Sequence, residues 1–160
     1  MSAAFSLRPA APKDMATLLR LIRALAEYER LADEVHATEA DLTTALFGPA
    51  PRSAALIAEV AGEAAGFALW FYTFSTFTGR PGLYLEDIYV TPEHRGRGIG
   101  HAVFRYLAHL AEAEGCARVE WSVLDWNAPA LRFYAALGAE LMSDWTVQRL
   151  SGRKLAALAR

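Results

Sequence analysis

The chain is poor in the residues that build metal and redox sites. It has one cysteine, Cys116, among 160 residues, which excludes an intramolecular disulfide and a thiolate metal cluster. Its four histidines, 36, 94, 101 and 109, are scattered, so no metal site is expected; His101 and His109 can share one helix face, which reads as a solvated face. No polybasic run exists and the formal net charge is −2, which argues against nucleic acid or an anionic membrane as the main partner. The longest apolar run of note, Phe67 to Tyr72, is far too short to span a bilayer. The first residues, Met1 to Pro12, lack the charged-then-apolar pattern of a secretory signal, and a cytoplasmic location is expected. Internal repeats, low-complexity stretches and linkers are lacking too. With 54 % hydrophobic and 21 % charged residues, the composition is that of one soluble globular domain spanning 1–160.

What the chain does have is glycine in one telling place. Arg95-Gly96-Arg97-Gly98-Ile99-Gly100 lies between a strand-like run, Leu83 to Val90, and a helix-like run starting near Gly98. The first N–H groups of a helix have no partner inside it, and the helix dipole adds partial positive charge. Glycines permit positive φ and close approach of a bulky group. Two arginines add charge, so the expected ligand carries phosphates. The loop lacks the GxxxxGK[ST] of an ATP-binding P-loop, and with His101 in place of a residue completing GxGxxG it is not a dinucleotide fingerprint. A glycine-rich surface turn is the plain alternative.

Periodicity gives the rest of the frame. Phe5–Arg8 reads as a strand and Pro12 opens a helix whose apolar face is Met15, Leu18, Leu19, Ile22, Leu25 and Ala26. Thr38 and Asp41 form a capping-box pattern ahead of a short helix ending at Gly48-Pro49. Ala54–Val60 and Gly66–Phe74 predict a hairpin around a Gly62–Gly66 turn. After the glycine loop comes a helix marked by Ile99, Val103, Tyr106, Leu107 and Leu110 and stopped by Gly115. A strand over Arg118–Leu124, a helix over Ala128–Leu137 capped by Asn127 and ended by Gly138, and a last strand over Val147–Leu150 complete the order β-α-α-β-β-β-α-β-α-β. The strand–helix–strand unit should form a parallel pair inside a mixed, mostly antiparallel sheet with helices on both faces.

Arg-x-x-Gly-x-Gly at Arg95–Gly100 resembles the pyrophosphate loop of the GNAT superfamily of acetyl-CoA-dependent N-acetyltransferases, and the element order is similar to theirs. Three segments narrow the likeness: Tyr84-Leu85-Glu86-Asp87-Ile88-Tyr89-Val90, then Trp126-Asn127-x-Pro129-x-x-x-Phe133-Tyr134-x-x-x-Gly138, and Leu21-Ile22-Arg23-x-Leu25-Ala26-x-Tyr28-Glu29. These resemble the diamine (spermidine/spermine) and thialysine acetyltransferases. The fold so implied is the GNAT fold, with a central splayed parallel strand pair. The implied cosubstrate is acetyl-CoA, held at Ile88, Tyr89 and Val90, at Arg95, Gly96, Arg97, Gly98, Ile99, Gly100 and His101, and at Asn127, Ala128, Pro129 and Ala130. A homodimer and a small-molecule amine substrate are implied likewise.

Acetyl transfer needs a neutral amine, stabilisation of the developing oxyanion and a proton for the departing thiolate. Spacing alone makes Tyr134 a core aromatic, in register with Leu131 and Leu137; the resemblance makes it the general acid. Glu86 interrupts an apolar strand, and alternation puts adjacent Asp87 on the opposite face. A carboxylate there is costly unless partnered or functional, so an ion-paired edge carboxylate is the alternative. The resemblance implies that Glu86 contacts the substrate amine, directly or through water, with further substrate contacts at Tyr28 and Glu29 and at Glu120, Trp121 and Ser122. Residues 27–41 carry Glu27, Glu29, Asp33, Glu34, Glu39 and Asp41 against Arg30, which suits a cationic substrate or a solvated face equally. Polyamine enzymes carry an Asp-Pro-Trp-like segment where this chain has Ser75-Thr76-Phe77, which is more similar to the thialysine branch.

Overall fold

The computed structural model describes residues 4–160. Five strands, β1 (Phe5–Pro9), β2 (Ala54–Val60), β3 (Glu63–Ser75), β4 (Arg80–Val90) and β5 (Val119–Trp121), form one sheet in sequence order. Neighbours are antiparallel except β4 and β5, which are parallel and joined through helix α3 (Ile99–Ala113). Helices α1 (Met15–Tyr28) and α2 (Glu39–Phe47) lie between β1 and β2 in the chain.

Parity along β3 assigns the two faces. Phe67 packs with Met15, Leu18, Leu21 and Leu25 of α1, with Leu42 and Leu46 of α2, and with Ile57 and Tyr89. Trp70, of opposite parity, meets Tyr106 of α3 edge-on at 5.9 Å between centroids. Helices thus cover both faces, as expected. Full burial of a side chain such as Leu18, Leu21 or Phe67 contributes roughly 1.5–3 kcal/mol, so the α1 face is a main source of stability. Leu21 is fully buried although the helical face read from periodicity omits it, whereas Ile22 is only partly so.

Polar fastenings set the ends. Arg8 of β1 donates two hydrogen bonds to buried Asp14 (2.7 and 2.9 Å) and one to Glu59 of β2 (2.8 Å). This holds the Asp14 carboxyl below the usual aspartate range; Arg8 is the first cause. The Thr38–Asp41 capping box is present: the Asp41 amide donates to the Thr38 hydroxyl (3.2 Å) and the Thr38 amide to the Asp41 carboxylate (2.9 Å).

Three expectations need correction. The β2–β3 turn is Ala61-Gly62, both at positive φ (51° and 83°), and Gly66 lies inside β3, where a Cβ would collide with the Tyr89 carbonyl oxygen. The strand expected over Arg118–Leu124 pairs only over Val119–Trp121. Val147–Leu150 is not a strand, and the chain instead closes with helix α5 (Gly152–Leu158). No partner strand stands beside Val147–Leu150 among the described residues, and its side chains are exposed.

The chain divides into two compact units at Ser122. The second, Val123–Arg160, contains helix α4 (Ala128–Ala136) and α5.

Candidate active site

In the first unit the site is built where β4 leaves its partner. The β4–β5 pairs run Leu83–Val119, Tyr84–Glu120 and Leu85–Trp121, and then stop. β4 continues to Val90, so from Glu86 to Val90 its β5-side edge carries no strand partner among the described residues. Such an edge can accept an extended ligand by main-chain hydrogen bonds. Ile88, Tyr89 and Val90 all lie on it.

The turn beyond β4 has the geometry of an anion site. Gly96 and Gly98 adopt φ of 73° and 84°, a region that other residues enter at a cost. Gly98 is the N-cap of α3, and the first intrahelical bond from the cap carbonyl goes to Ala102 (3.0 Å), leaving the amides of Ile99, Gly100 and His101 without acceptors in the helix. Ile99, 1 % exposed, anchors the turn in the core. Arg97 is exposed and donates to the Glu93 carbonyl (3.3 Å). Arg95 folds back: Nε donates to the Val90 carbonyl at 3.0 Å, and the guanidinium carbon lies 4.8 Å from the Tyr28 ring centroid and 5.7 Å from that of Tyr89.

The acidic residues depend on a β-bulge. Leu69 of β3 pairs with Asp87 and the next residue, Trp70, with Leu85, so Glu86 is the extra residue. The sequence reading placed Asp87 opposite Glu86 by simple alternation. The bulge breaks that alternation: Leu85 goes to the α3 side with Trp70, and Asp87 to the α1 side with Leu69. Glu86 is exposed and Asp87 is half-buried. Burial first, then the charges of Glu86 and Glu29, push the Asp87 carboxyl up to about 6. Burial also raises that of Glu29. Glu86, Asp87 and Glu29 therefore sit within electrostatic reach of one another, a cluster that an ammonium group would relieve. Asp87 was missed as a site residue; two adjacent carboxylates in an apolar strand were the available signal.

The β5 residues and Ser122 just after them are already engaged. Glu120 takes a hydrogen bond from Arg118 Nε at 2.8 Å, Trp121 meets Phe104 edge-on at 4.8 Å, and the Ser122 hydroxyl shares a 2.8 Å hydrogen bond with the Tyr84 hydroxyl.

In the second unit Asn127 caps α4, its Oδ1 accepting from the Ala130 amide at 3.3 Å, with Ala128 and Pro129 in the first turn. The helix ends in a Schellman motif: Ala139 donates to the Tyr134 carbonyl (3.1 Å) and Gly138, at φ 85°, to that of Ala135 (3.0 Å). Tyr134 lies in the last turn, its ring 5.5 Å from that of Phe133. No group of three or more His, Cys, Asp or Glu suited to a metal ion occurs among the described residues, and no helix there is long and apolar enough to cross a membrane.

An open strand edge running into a glycine-rich anion turn, beside an acidic cluster, is suited to an extended, phosphorylated ligand next to a cation. Residues 18–139 match the model of the acetyltransferase (GNAT) family, and the chain belongs to that family. It is similar to the thialysine N-epsilon-acetyltransferase of Bos taurus, 40 % identical over 164 residues that cover 96 % of each chain. It is also similar to the spermidine/spermine N(1)-acetyltransferase-like protein 1 of Homo sapiens, 34 % identical over 97 % of this chain and 24 % of that one. Among solved structures, an integron cassette protein from the mobile metagenome of V. cholerae superposes with a TM-score of 0.81 at 26 % identity, covering 100 % of this chain and 99 % of that one. The protein is an acetyl-CoA-dependent N-acetyltransferase.

Proposed function

We propose that the chain, working as one domain, transfers the acetyl group of acetyl-CoA to a primary amine of a small cationic substrate, a thialysine- or lysine-like amino acid or a diamine. The observation that carries this reading is the cluster of Glu86 and Asp87, on the strand that runs into the anion turn, with Glu29 at the end of α1. Burial makes a lone carboxylate there unfavourable, and a bound ammonium restores the lost interaction.

The turn fits the cosubstrate: free amides at Ile99, Gly100 and His101 and two positive-φ glycines suit its pyrophosphate, and Arg97 adds charge. Along Ile88, Tyr89 and Val90, the main-chain groups that face the open edge offer hydrogen bonds to its extended arm. Asn127 through Ala130 are read as further contacts to it.

An amine of pKa about 10.4 must shed a proton before attack. Glu86, exposed on the bulge, passes that proton to solvent through water, while Asp87 and Glu29 hold the cation in place. The amine nitrogen then attacks the thioester carbon directly and the carbon–sulfur bond breaks. Tyr134 donates its hydroxyl proton to the departing thiolate, and the proton that the acetylated nitrogen then sheds restores the Tyr134 hydroxyl through solvent. Tyr28 borders the substrate, as do Glu120 and Trp121 of β5 and Ser122 just beyond it. The working form is read as a cytoplasmic homodimer, on family likeness alone.

Ser75-Thr76-Phe77 favours a short substrate over a long polyamine. Ser75 is buried and accepts from the Thr78 amide at 3.3 Å, and Phe77 is 96 % exposed, so this hairpin tip offers no carboxylate to a distant second ammonium. A missing charged contact is worth about 2 kcal/mol, roughly thirty-fold. Free-thiol detection with thialysine, spermidine and a peptide amine at equal concentrations tests the reading. Thialysine is expected to exceed spermidine by about that factor. Preference for spermidine would make the chain a polyamine acetyltransferase, and activity only on the peptide would make it a protein N-acetyltransferase.

A further inference from the structure

Arg95 stands first in the Arg-x-x-Gly-x-Gly loop, where its charge would be assigned to phosphate alone. Its contacts point elsewhere. The guanidinium lies over Tyr28, 4.8 Å from the ring centroid, and near Tyr89 at 5.7 Å, with Nε bonded to the Val90 carbonyl. Tyr28 is the last residue of α1, and Glu29, its C-cap, follows. Beyond it the chain turns sharply. Arg30 takes a left-handed φ of 62°, its amide donating to the Glu27 carbonyl (3.1 Å) and that of Leu31 to Ala26 (2.8 Å). A non-glycine residue in that conformation is held by its surroundings rather than by preference. The helix end carrying two of the proposed amine contacts is therefore a strained turn, and Arg95 packs on its last aromatic ring. By contrast Arg97, two residues on, donates to the Glu93 carbonyl of its own turn.

We propose that Arg95 is a positioning residue for the amine: by packing its guanidinium on Tyr28 and Tyr89 and bonding Val90, it fastens the end of α1 to β4, so that the anion turn and the amine pocket are built as one piece. This rests on the acetyl-transfer reading above for its kinetic consequence, but not for the fastening. The consequence is that a loop residue of the cosubstrate site controls affinity for the other substrate. Arg95 is itself exposed, so Arg95→Ala should raise KM for the amine about fivefold, the upper end for a cation–π contact at an exposed site, with kcat changed less than KM. Arg97→Ala should raise KM for acetyl-CoA and leave that for the amine within twofold. Arg95→Lys, which keeps the cation but not the flat face or the Nε donor, should restore part of the amine affinity.

The fastening is read without turnover by amide hydrogen exchange of the full chain. The amides of Glu29, Arg30 and Leu31 should exchange about tenfold faster in Arg95→Ala, as expected for local opening, and at the wild-type rate in Arg97→Ala. If Arg95→Ala does not fold, Arg95→Gln serves for both readouts with the same expectation. Unchanged exchange at these amides overturns the proposal, as does an Arg95 variant that weakens acetyl-CoA alone. Should the wild type acetylate no amine, the functional reading fails while the exchange result still decides the role of Arg95.

Discussion

Replacing Asp87 with asparagine should make this enzyme more stable and less active, and the gain in stability should depend on pH. The carboxyl is pushed from an ordinary 3.8 to about 6, by burial first and by Glu86 and Glu29 next. Each pH unit of displacement is worth about 1.36 kcal/mol, so the ionised group costs the native state about 3 kcal/mol when fully charged. The sign follows from proton uptake. Between 3.8 and about 6 the folded protein holds a proton that the unfolded chain has lost, so stability falls as pH rises through that window. Above it the cost is complete, and below it both states are protonated and the cost vanishes. Asparagine is neutral throughout. Local rearrangement and partial access of water trim the full figure, so Asp87→Asn should gain about 2 kcal/mol at about pH 8, with the gain lost by about pH 4. Urea unfolding of both proteins across that range measures the difference directly. A gain that is flat with pH, or a variant less stable than wild type at about pH 8, would refute the idea that Asp87 is held ionised at a cost. In the same variant kcat/KM for the amine should fall, because the relieved charge is the one that attracts the ammonium. Opposite signs for stability and activity are the mark of a site residue rather than a packing residue.

Tyr134→Phe keeps the ring and should lower kcat by ten- to a thousand-fold, the approximate range for a general acid, with acetyl-CoA affinity nearly unchanged; turnover equal to wild type under chemistry-limited conditions returns Tyr134 to a packing role. Ala61→Asn suits the positive φ of that turn position and should add about 0.5–1 kcal/mol, or roughly 2–3 °C in melting temperature, read by calorimetry. Arg8→Ala removes two of the three donors to buried Asp14 and should cost about 2–4 kcal/mol near neutral pH in chemical unfolding. Because Arg8 holds the Asp14 carboxyl low, that cost should shrink as acid protonates it. Gly98→Ala forces a Cβ into φ 84° and should weaken the thermal shift given by acetyl-CoA; an undiminished shift would mean that the turn does not hold the cosubstrate.

The anion turn was legible in the sequence because its chemistry is local: Gly98 is needed for its own φ, and Asn127 and Thr38 cap helices by reaching three residues along the chain. The side of the sheet on which Asp87 lies was not legible. A bulge is a relation between two strands, and nothing in Leu85-Glu86-Asp87 marks it. The packing of Arg95 on Tyr28 escaped for a similar reason, since it joins segments far apart in sequence. Val147–Leu150 failed because alternation reports only what a segment could pair with, not whether a partner is there.

The bulge at Glu86 also changes what a gap in this strand would do. Leu83 and Leu85 pair with Tyr72 and Trp70, on the α3 side, whereas Asp87 and Tyr89 pair with Leu69 and Phe67, on the α1 side. Odd-numbered residues thus serve one core before Glu86 and the other core after it. Deleting Glu86 would make Leu85 and Asp87 adjacent, and ordinary alternation would keep them on the opposite faces they already occupy, so both halves of the strand would hold their cores. The residue between Leu85 and Asp87 is therefore extra to the packing of either core, and its loss would act on the acidic cluster rather than on the fold. An otherwise similar chain lacking that one residue would still set Asp87 beside Glu29 but would lose the exposed carboxylate next to it.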